Sequence, residues 1–172
     1  TADTLAGAIT PTYFIHNDYT PLHKAIEVSI KVGRLSEYLR SKATIVHFDR
    51  RKKYYSKGGK WRNNSISAKS KAFGGFTVMI DTIPPKIAPT NIFENKNMAG
   101  NSTITVKIAD NLSGIKSFRG SIDGKWVLME YESKKAKIFH TFDNLPKGAH
   151  IFDLTLIDGV GNESKVSIPF TR

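Results

Sequence analysis

The chain contains no cysteine, and this one absence removes disulfide frameworks, thiolate zinc sites and cysteine nucleophiles together. It holds no apolar run near the roughly 18 residues that a membrane-spanning helix needs, and no signal peptide is visible. Helical patterning is scarce as well: Ser36 to Arg40 can supply one short turn of helix and little more. The G-x-S-x-G elbow of serine hydrolases does not occur, and Ser113-Gly114 falls in a turn. The chain opens on Thr1 rather than Met, so it reads as a processed protein or an excised fragment of a larger one.

What is present is the composition of a folded, basic protein. Hydrophobic residues make up 40% and charged residues 24% of 172 residues, which argues against wholesale disorder. The net charge is +11 and unevenly spread. Residues 1–83 hold 14 Lys/Arg against 6 Asp/Glu, a difference of +8, while residues 84–172 hold 12 against 9, a difference of +3. Such charge favours association with nucleic acid, acidic lipids or anionic cell-wall polymers, without choosing among them.

Period-two alternation dominates the pattern. Ile26, Val28, Ile30 and Val32 share one face of a strand, with Glu27, Ser29 and Lys31 on the other. The same alternation recurs at Ile104, Val106, Ile108, at Phe152, Leu154, Leu156, and at Val166, Ile168, Phe170. Half-buried antiparallel strands produce this signature. Turn residues separate the runs. Asp123-Gly124 is the clearest and predicts a two-residue type I′ hairpin between Phe118–Ile122 and Lys125–Met129. Gly58-Gly59 is expected to close a second hairpin between Tyr54-Tyr55 and Trp61. Further reversals are expected at Pro146-Lys147-Gly148 and at Asp158 to Asn162.

The paired prolines of Asp81-Thr82-Ile83-Pro84-Pro85 follow a clean strand, Phe76 to Ile80, and precede another, Lys86 to Phe93. Prolines deny the ladder its donors, so a central strand cannot cross them. The sequence therefore predicts an all-β chain of two tandem immunoglobulin-like antiparallel β-sandwich domains, at 1–83 and 84–172, joined by a stiff linker. Without cysteine, each sandwich must be held by its hydrophobic core alone. The tripeptide Gly-Lys-Trp occurs at Gly59-Lys60-Trp61 and again at Gly124-Lys125-Trp126. Two copies of a tripeptide do not establish a duplication.

The second half carries, in order, Asp81-Thr82-Ile83-Pro84-Pro85, Asp110-Asn111-Leu112-Ser113-Gly114-Ile115, Ile122-Asp123-Gly124-Lys125-Trp126, Leu145-Pro146-Lys147-Gly148-Ala149-His150 and Asp158-Gly159-Val160-Gly161-Asn162. This layout resembles bacterial Ig-like modules. A narrower resemblance rests on Lys42-Ala43, Gly58-Gly59-Lys60-Trp61, Phe73-Gly74-Gly75-Phe76-Thr77 and Leu128-Met129-Glu130-Tyr131. These segments look like the C-terminal region of lysostaphin-like zinc endopeptidases, the peptidoglycan hydrolases of the Gram-negative envelope. That resemblance implies an accessory segment beyond a catalytic domain carried elsewhere in the parent protein, in a periplasmic, envelope or secreted location.

The peptidase family builds its zinc site from H-x-x-x-D and H-x-H elements. Of the five histidines, His16, His23, His47, His140 and His150, none falls in either arrangement: Asp18 follows His16 too closely, and no two His flank a single residue. No catalytic residue, metal ligand or cofactor is therefore assigned to this segment. Asp110, Ser113, Asp158 and Asn162 offer oxygens of the kind calcium takes, but Asx residues beside Gly114 and Gly161 are better read as turn stabilisers. The candidate binding surface is Arg50, Arg51, Lys52, Lys53, Tyr54, Tyr55, Lys57, Lys60, Trp61 and Arg62, a hairpin with seven basic residues and three aromatics, joined by Trp126 and Tyr131. Cations neutralise anionic polymers and aromatics stack on rings. The favoured reading of the same residues is a solvated hairpin whose aromatics cover the sandwich and whose lysines keep an edge strand from pairing with foreign strands. Each aromatic could equally be core.

These observations predict a non-catalytic accessory region of a secreted or periplasmic peptidoglycan hydrolase, with the catalytic domain of the same protein or a cell-wall polymer as partner. A stand-alone surface adhesin or carbohydrate-binding module is the alternative. Nucleic acid is disfavoured, because no nucleic-acid-binding module is recognisable.

Overall fold

A computed structural model describes residues 7–49 and 53–172. Contacts divide the chain into two compact units: residues up to Ile83 with Gly159–Gly161, and Pro84–Asp158 with Asn162–Arg172. Each unit is an immunoglobulin-like β-sandwich with its own hydrophobic core.

In the first unit β1 (Tyr13–Ile15), β2 (Ile26–Lys31), β3 (Ala43–Phe48), β4 (Tyr54–Ser56), β5 (Lys60–Arg62), β6 (Ser65–Ser70) and β7 (Gly74–Ile80) form sheets of order β2-β6-β5 and β1-β7-β3-β4. The β2 alternation does what its pattern requires. Val28 and Ile30 are buried, while Glu27, Ser29 and Lys31 face water. They meet Ile45, Ile66, Phe76 and Val78 from the other strands. Burying side chains of this size contributes about 1.5–3 kcal/mol each, and no covalent cross-link supplements them. The short helix α1 (Glu37–Ser41) is capped by Ser36, whose hydroxyl accepts from the Leu39 N–H at 3.3 Å.

The second unit comprises β8 (Lys86–Pro89), β9 (Lys96–Asn97), β10 (Thr103–Ala109), β11 (Ile115–Ile122), β12 (Lys125–Val127), β13 (Glu130–Glu132), β14 (Lys137–Thr141), β15 (Ala149–Asp158) and β16 (Glu163–Thr171). Its sheets run β13-β14-β10-β8 and β12-β11-β15-β16-β9. Labelled A to G along the chain, these are the A-B-E-D and C′-C-F-G sheets of the immunoglobulin topology, with β9 added in parallel to β16. Ile104, Val106 and Ile108 from β10 face Phe152, Leu154 and Leu156 from β15 across the core. The first unit keeps the B-C-C′-D-E-F order in β2 to β7 but sets the N-terminal β1 antiparallel to β7, where a G strand would lie.

Two local expectations need correction. Gly58-Gly59 does not close a hairpin, because β4 pairs with β3 while β5 pairs with β6 in the opposite sheet. These glycines carry the chain from one sheet to the other. A Cβ on Gly59 would lie 2.3 Å from a terminal carbon of the fully buried Ile66, so the close approach there requires glycine. The hairpin turn is instead Asn63-Asn64, between Arg62 and its partner Ser65, with Asn63 at φ +52°. The strand expected over Lys86 to Phe93 ends at Pro89, and that expected over Lys125 to Met129 ends at Val127. The Asp123-Gly124 turn has φ +51° and +74°, the left-handed pair that a type I′ hairpin demands.

Candidate binding surfaces

The Asx residues of the second unit close its turns. Asp110 Oδ2 accepts from the N–H groups of Leu112 at 3.0 Å and Gly114 at 2.7 Å. Asp158 accepts from the Asn162 N–H at 2.8 Å and from its side-chain amide at 2.7 Å. Asp123 reaches further along the sequence. Its Oδ1 accepts from the Ile151 N–H at 2.8 Å, and its Oδ2 lies 2.7 Å from His150 Nδ1. The other ring nitrogen, His150 Nε2, lies 2.9 Å from the Pro146 carbonyl oxygen. Both ring nitrogens thus face acceptors, an arrangement satisfied in full only by the imidazolium, which donates from both. The hydrogen bond to Asp123, followed by that to Pro146, accordingly raises the His150 pKa above its ordinary value. The same bond to His150, then the Ile151 N–H, lowers that of Asp123.

These contacts border a concavity of about 500 Å³ in the second unit. It lies where the chain leaves β12, an edge of one sheet, for β13, an edge of the other. Trp126 and Leu128 line it and are 61% and 60% exposed. Glu130, Asp143 and Lys125 are its other charged side chains besides the Asp123–His150 pair. His140, buried on β14, also lines it and has Nδ1 2.9 Å from the Leu128 carbonyl oxygen.

The aromatics named from the sequence separate sharply. Trp61 packs against the first core, donates its indole N–H to the Arg40 carbonyl at 2.8 Å and lies under the Arg40 guanidinium at 4.5 Å. Trp126 stands out into solvent. Tyr131, on β13, is half-exposed and neighbours Phe118 at 6.1 Å between ring centroids. Tyr54 and Tyr55 are both half-exposed on the edge strand β4, with the Lys57 ammonium 5.9 Å from the Tyr55 ring. Lys53, Lys60 and Arg62 are exposed. Arg50, Arg51 and Lys52 lie outside the described residues.

Sequence reasoning did not single out Leu128, Glu130 and Asp143 as companions of Trp126. They are spread over the chain and meet only through the β12–β13 crossing and the loop after β14. The usable signal was the Asp123-Gly124 and Leu145 to His150 motifs, since the Asp123–His150 bond ties one to the other.

A family model described as a Zu5-like domain matches residues 1–81. No curated protein matches the chain. Among solved structures, the chain resembles CopC from Methylosinus trichosporium OB3b at 13% identity and a TM-score of 0.39, over 50% of this chain and 92% of that one. It also resembles the Clostridium thermocellum CbhA fibronectin(III)-like modules at 14% identity and a TM-score of 0.42, over 93% of both chains.

Proposed function

We propose that this chain is a non-catalytic β-sandwich module of an envelope or secreted protein, and that its first unit holds the carrier on an anionic cell-wall polymer. The observation that carries this reading is the edge strand β4. It places Tyr54 and Tyr55, each about half in water, on opposite faces of the strand, Tyr54 beside Phe48 and Tyr55 beside His47, with a lysine ammonium near the Tyr55 ring, in the half of the sequence that holds a charge excess of +8. Arg50, Arg51, Lys52 and Lys53 immediately precede these tyrosines. Cationic side chains supply long-range attraction, and exposed aromatic faces supply short-range contact once the polymer is reached. The resemblance to the C-terminal region of lysostaphin-like endopeptidases supports a peptidoglycan hydrolase as the carrier.

The test is retention on purified peptidoglycan sacculi as salt is raised. Exposed charges are screened over about 10 Å at 0.1 M salt, so binding should be strong at low salt and largely lost by a few tenths molar. Changing Arg50, Arg51, Lys52 and Lys53 together to Gln should weaken low-salt retention at least tenfold. Retention unaffected by both salt and the fourfold change would refute the proposal.

A further inference from the structure

We infer that the Trp126 concavity of the second unit is a peptide-binding site, and that its occupant is an extended segment presenting a lysine or arginine side chain. Trp126 leaves three-fifths of its surface in water, whereas the other tryptophan, Trp61, is partly buried against the first core. Leu128 extends the same exposed apolar surface. An exposed indole and an exposed leucine beside a concavity that also holds a few polar groups form the setting in which a ligand is expected.

Charge selects the occupant. With His150 protonated the His150–Asp123 pair is neutral, and with His150 neutral Asp123 adds a negative charge; the other ionic side chains at the cavity are Glu130 and Asp143 against Lys125. Among the described residues, neither the Glu130 nor the Asp143 carboxylate is paired with a cation. The cavity is thus locally negative on a protein whose net charge is +11. A cation over an indole face gains about 0.5–2 kcal/mol from the ring quadrupole, and nearby carboxylates add to that attraction. An anionic polymer, by contrast, would meet two unpaired carboxylates here. This surface and the β4 surface of the first unit therefore take ligands of opposite sign.

The backbone favours an extended segment. In the β11–β12 hairpin Ile122 faces Lys125 next to the two-residue turn, and Ser121 faces Trp126. Hydrogen-bonded and non-hydrogen-bonded pairs alternate from the turn outward. Ser121–Trp126 is therefore a non-hydrogen-bonded pair, which turns the Trp126 N–H and C=O away from β11. Because β12 is the edge of its sheet, one donor and one acceptor remain for a strand laid alongside, as in β-strand addition.

The two tryptophans make the test direct. The ¹⁵N-labelled full chain has two indole N–H resonances, which Trp126→Phe assigns. Titration with tetralysine should shift the Trp126 indole and leave that of Trp61 in place. The combined Glu130→Gln, Asp143→Asn variant should bind tetralysine at least tenfold more weakly, and 0.5 M salt should do the same to the parent. General attraction cannot mimic this result, because a tetracation is repelled by the protein's overall charge. A Trp126 indole that tetralysine leaves unmoved would overturn the inference. So would undiminished affinity in the double variant. A shift with chitotetraose and none with tetralysine would also overturn it, in favour of a glycan platform.

Discussion

Replacing Asp123 by Asn should reverse the pH dependence of stability of the second unit across the histidine range. In the parent, His150 donates from both ring nitrogens, to the Asp123 carboxylate at 2.7 Å and to the Pro146 carbonyl at 2.9 Å. Its pKa is raised in the folded state, first by the Asp123 bond. A raised folded value means the stabilisation is complete below the unfolded value of about 6.5 and is lost as pH rises through the folded value. Asparagine keeps the left-handed backbone at φ +51° and can still accept the Ile151 N–H. Its amide, however, donates toward Nδ1, so His150 must be neutral, with its one proton on Nε2 facing Pro146. The folded state then disfavours the imidazolium, the folded pKa falls below 6.5, and stability is lost as pH falls. Where the folded and unfolded states differ by one proton, the slope is about 1.4 kcal/mol per pH unit, negative for the parent and positive for the variant. A charge-assisted hydrogen bond exceeds a neutral one by about 1 kcal/mol. Because the Asp123 side chain is 45% exposed, solvent screening places its loss at the lower end, about 0.5–1 kcal/mol at pH 6. Urea unfolding at pH 5 to 9, followed through NMR resonances of the second unit, measures both slopes. His150 titrating below 6.5 in the parent, or slopes of the same sign in the two proteins, would refute the reasoning.

Two further substitutions separate structural from surface roles in urea melts of the same kind. Trp61→Ala removes core packing, an N–H···O=C bond and the Arg40 stack, and should cost the first unit about 2–4 kcal/mol; Trp126→Ala, at an exposed site, should stay within about 0.5 kcal/mol. A large loss from Trp126→Ala would mean that its indole is part of the packing. Gly124→Ala places a Cβ in open space at φ +74°, so its cost, about 1–2 kcal/mol, should come from backbone strain alone. A neutral outcome would mean that the turn is not type I′ in solution.

The fold was legible where one face of a strand is dry and the other wet. The runs at Ile26, Ile104, Phe152 and Val166 alternate because each strand has a core face, and all four are strands. β3 is less transparent, since Ala43 to His47 are all buried and period two is lost. β4, β5 and β9 are two or three residues long, too short for any period to register. The turn at Asn63-Asn64 was overshadowed by Gly58-Gly59, whose flexibility serves a crossing between sheets. Candidate surface residues were readable as residue types but not as positions: nothing in the sequence says that Arg40 covers Trp61 or that Trp126 is left uncovered.

The repeated tripeptide shows why. Gly59-Lys60-Trp61 and Gly124-Lys125-Trp126 put the same side chain one residue into a strand, yet the preceding glycine acts differently in each. At Gly59 the chain crosses between sheets, and the missing Cβ lets Ile66 approach; Trp61 then lies opposite Ile66 in the ladder and joins the core. At Gly124 the chain reverses on itself, and Trp126 lands opposite Ser121; both tryptophans sit on edge strands, but only Trp61 is covered by Arg40 and packed on a core. The ordered motifs that resemble bacterial Ig-like modules belong to this second kind of constraint. Asp110 Oδ2, the Asp158 carboxylate and the Asp123–His150 pair each hold a turn or tie two turns together. Those motifs therefore describe how the sandwich is stapled at its turns. The residues left to meet a partner, Trp126, Leu128, Glu130 and Asp143, lie between the staples, so recognition there can change without disturbing the fold that presents it.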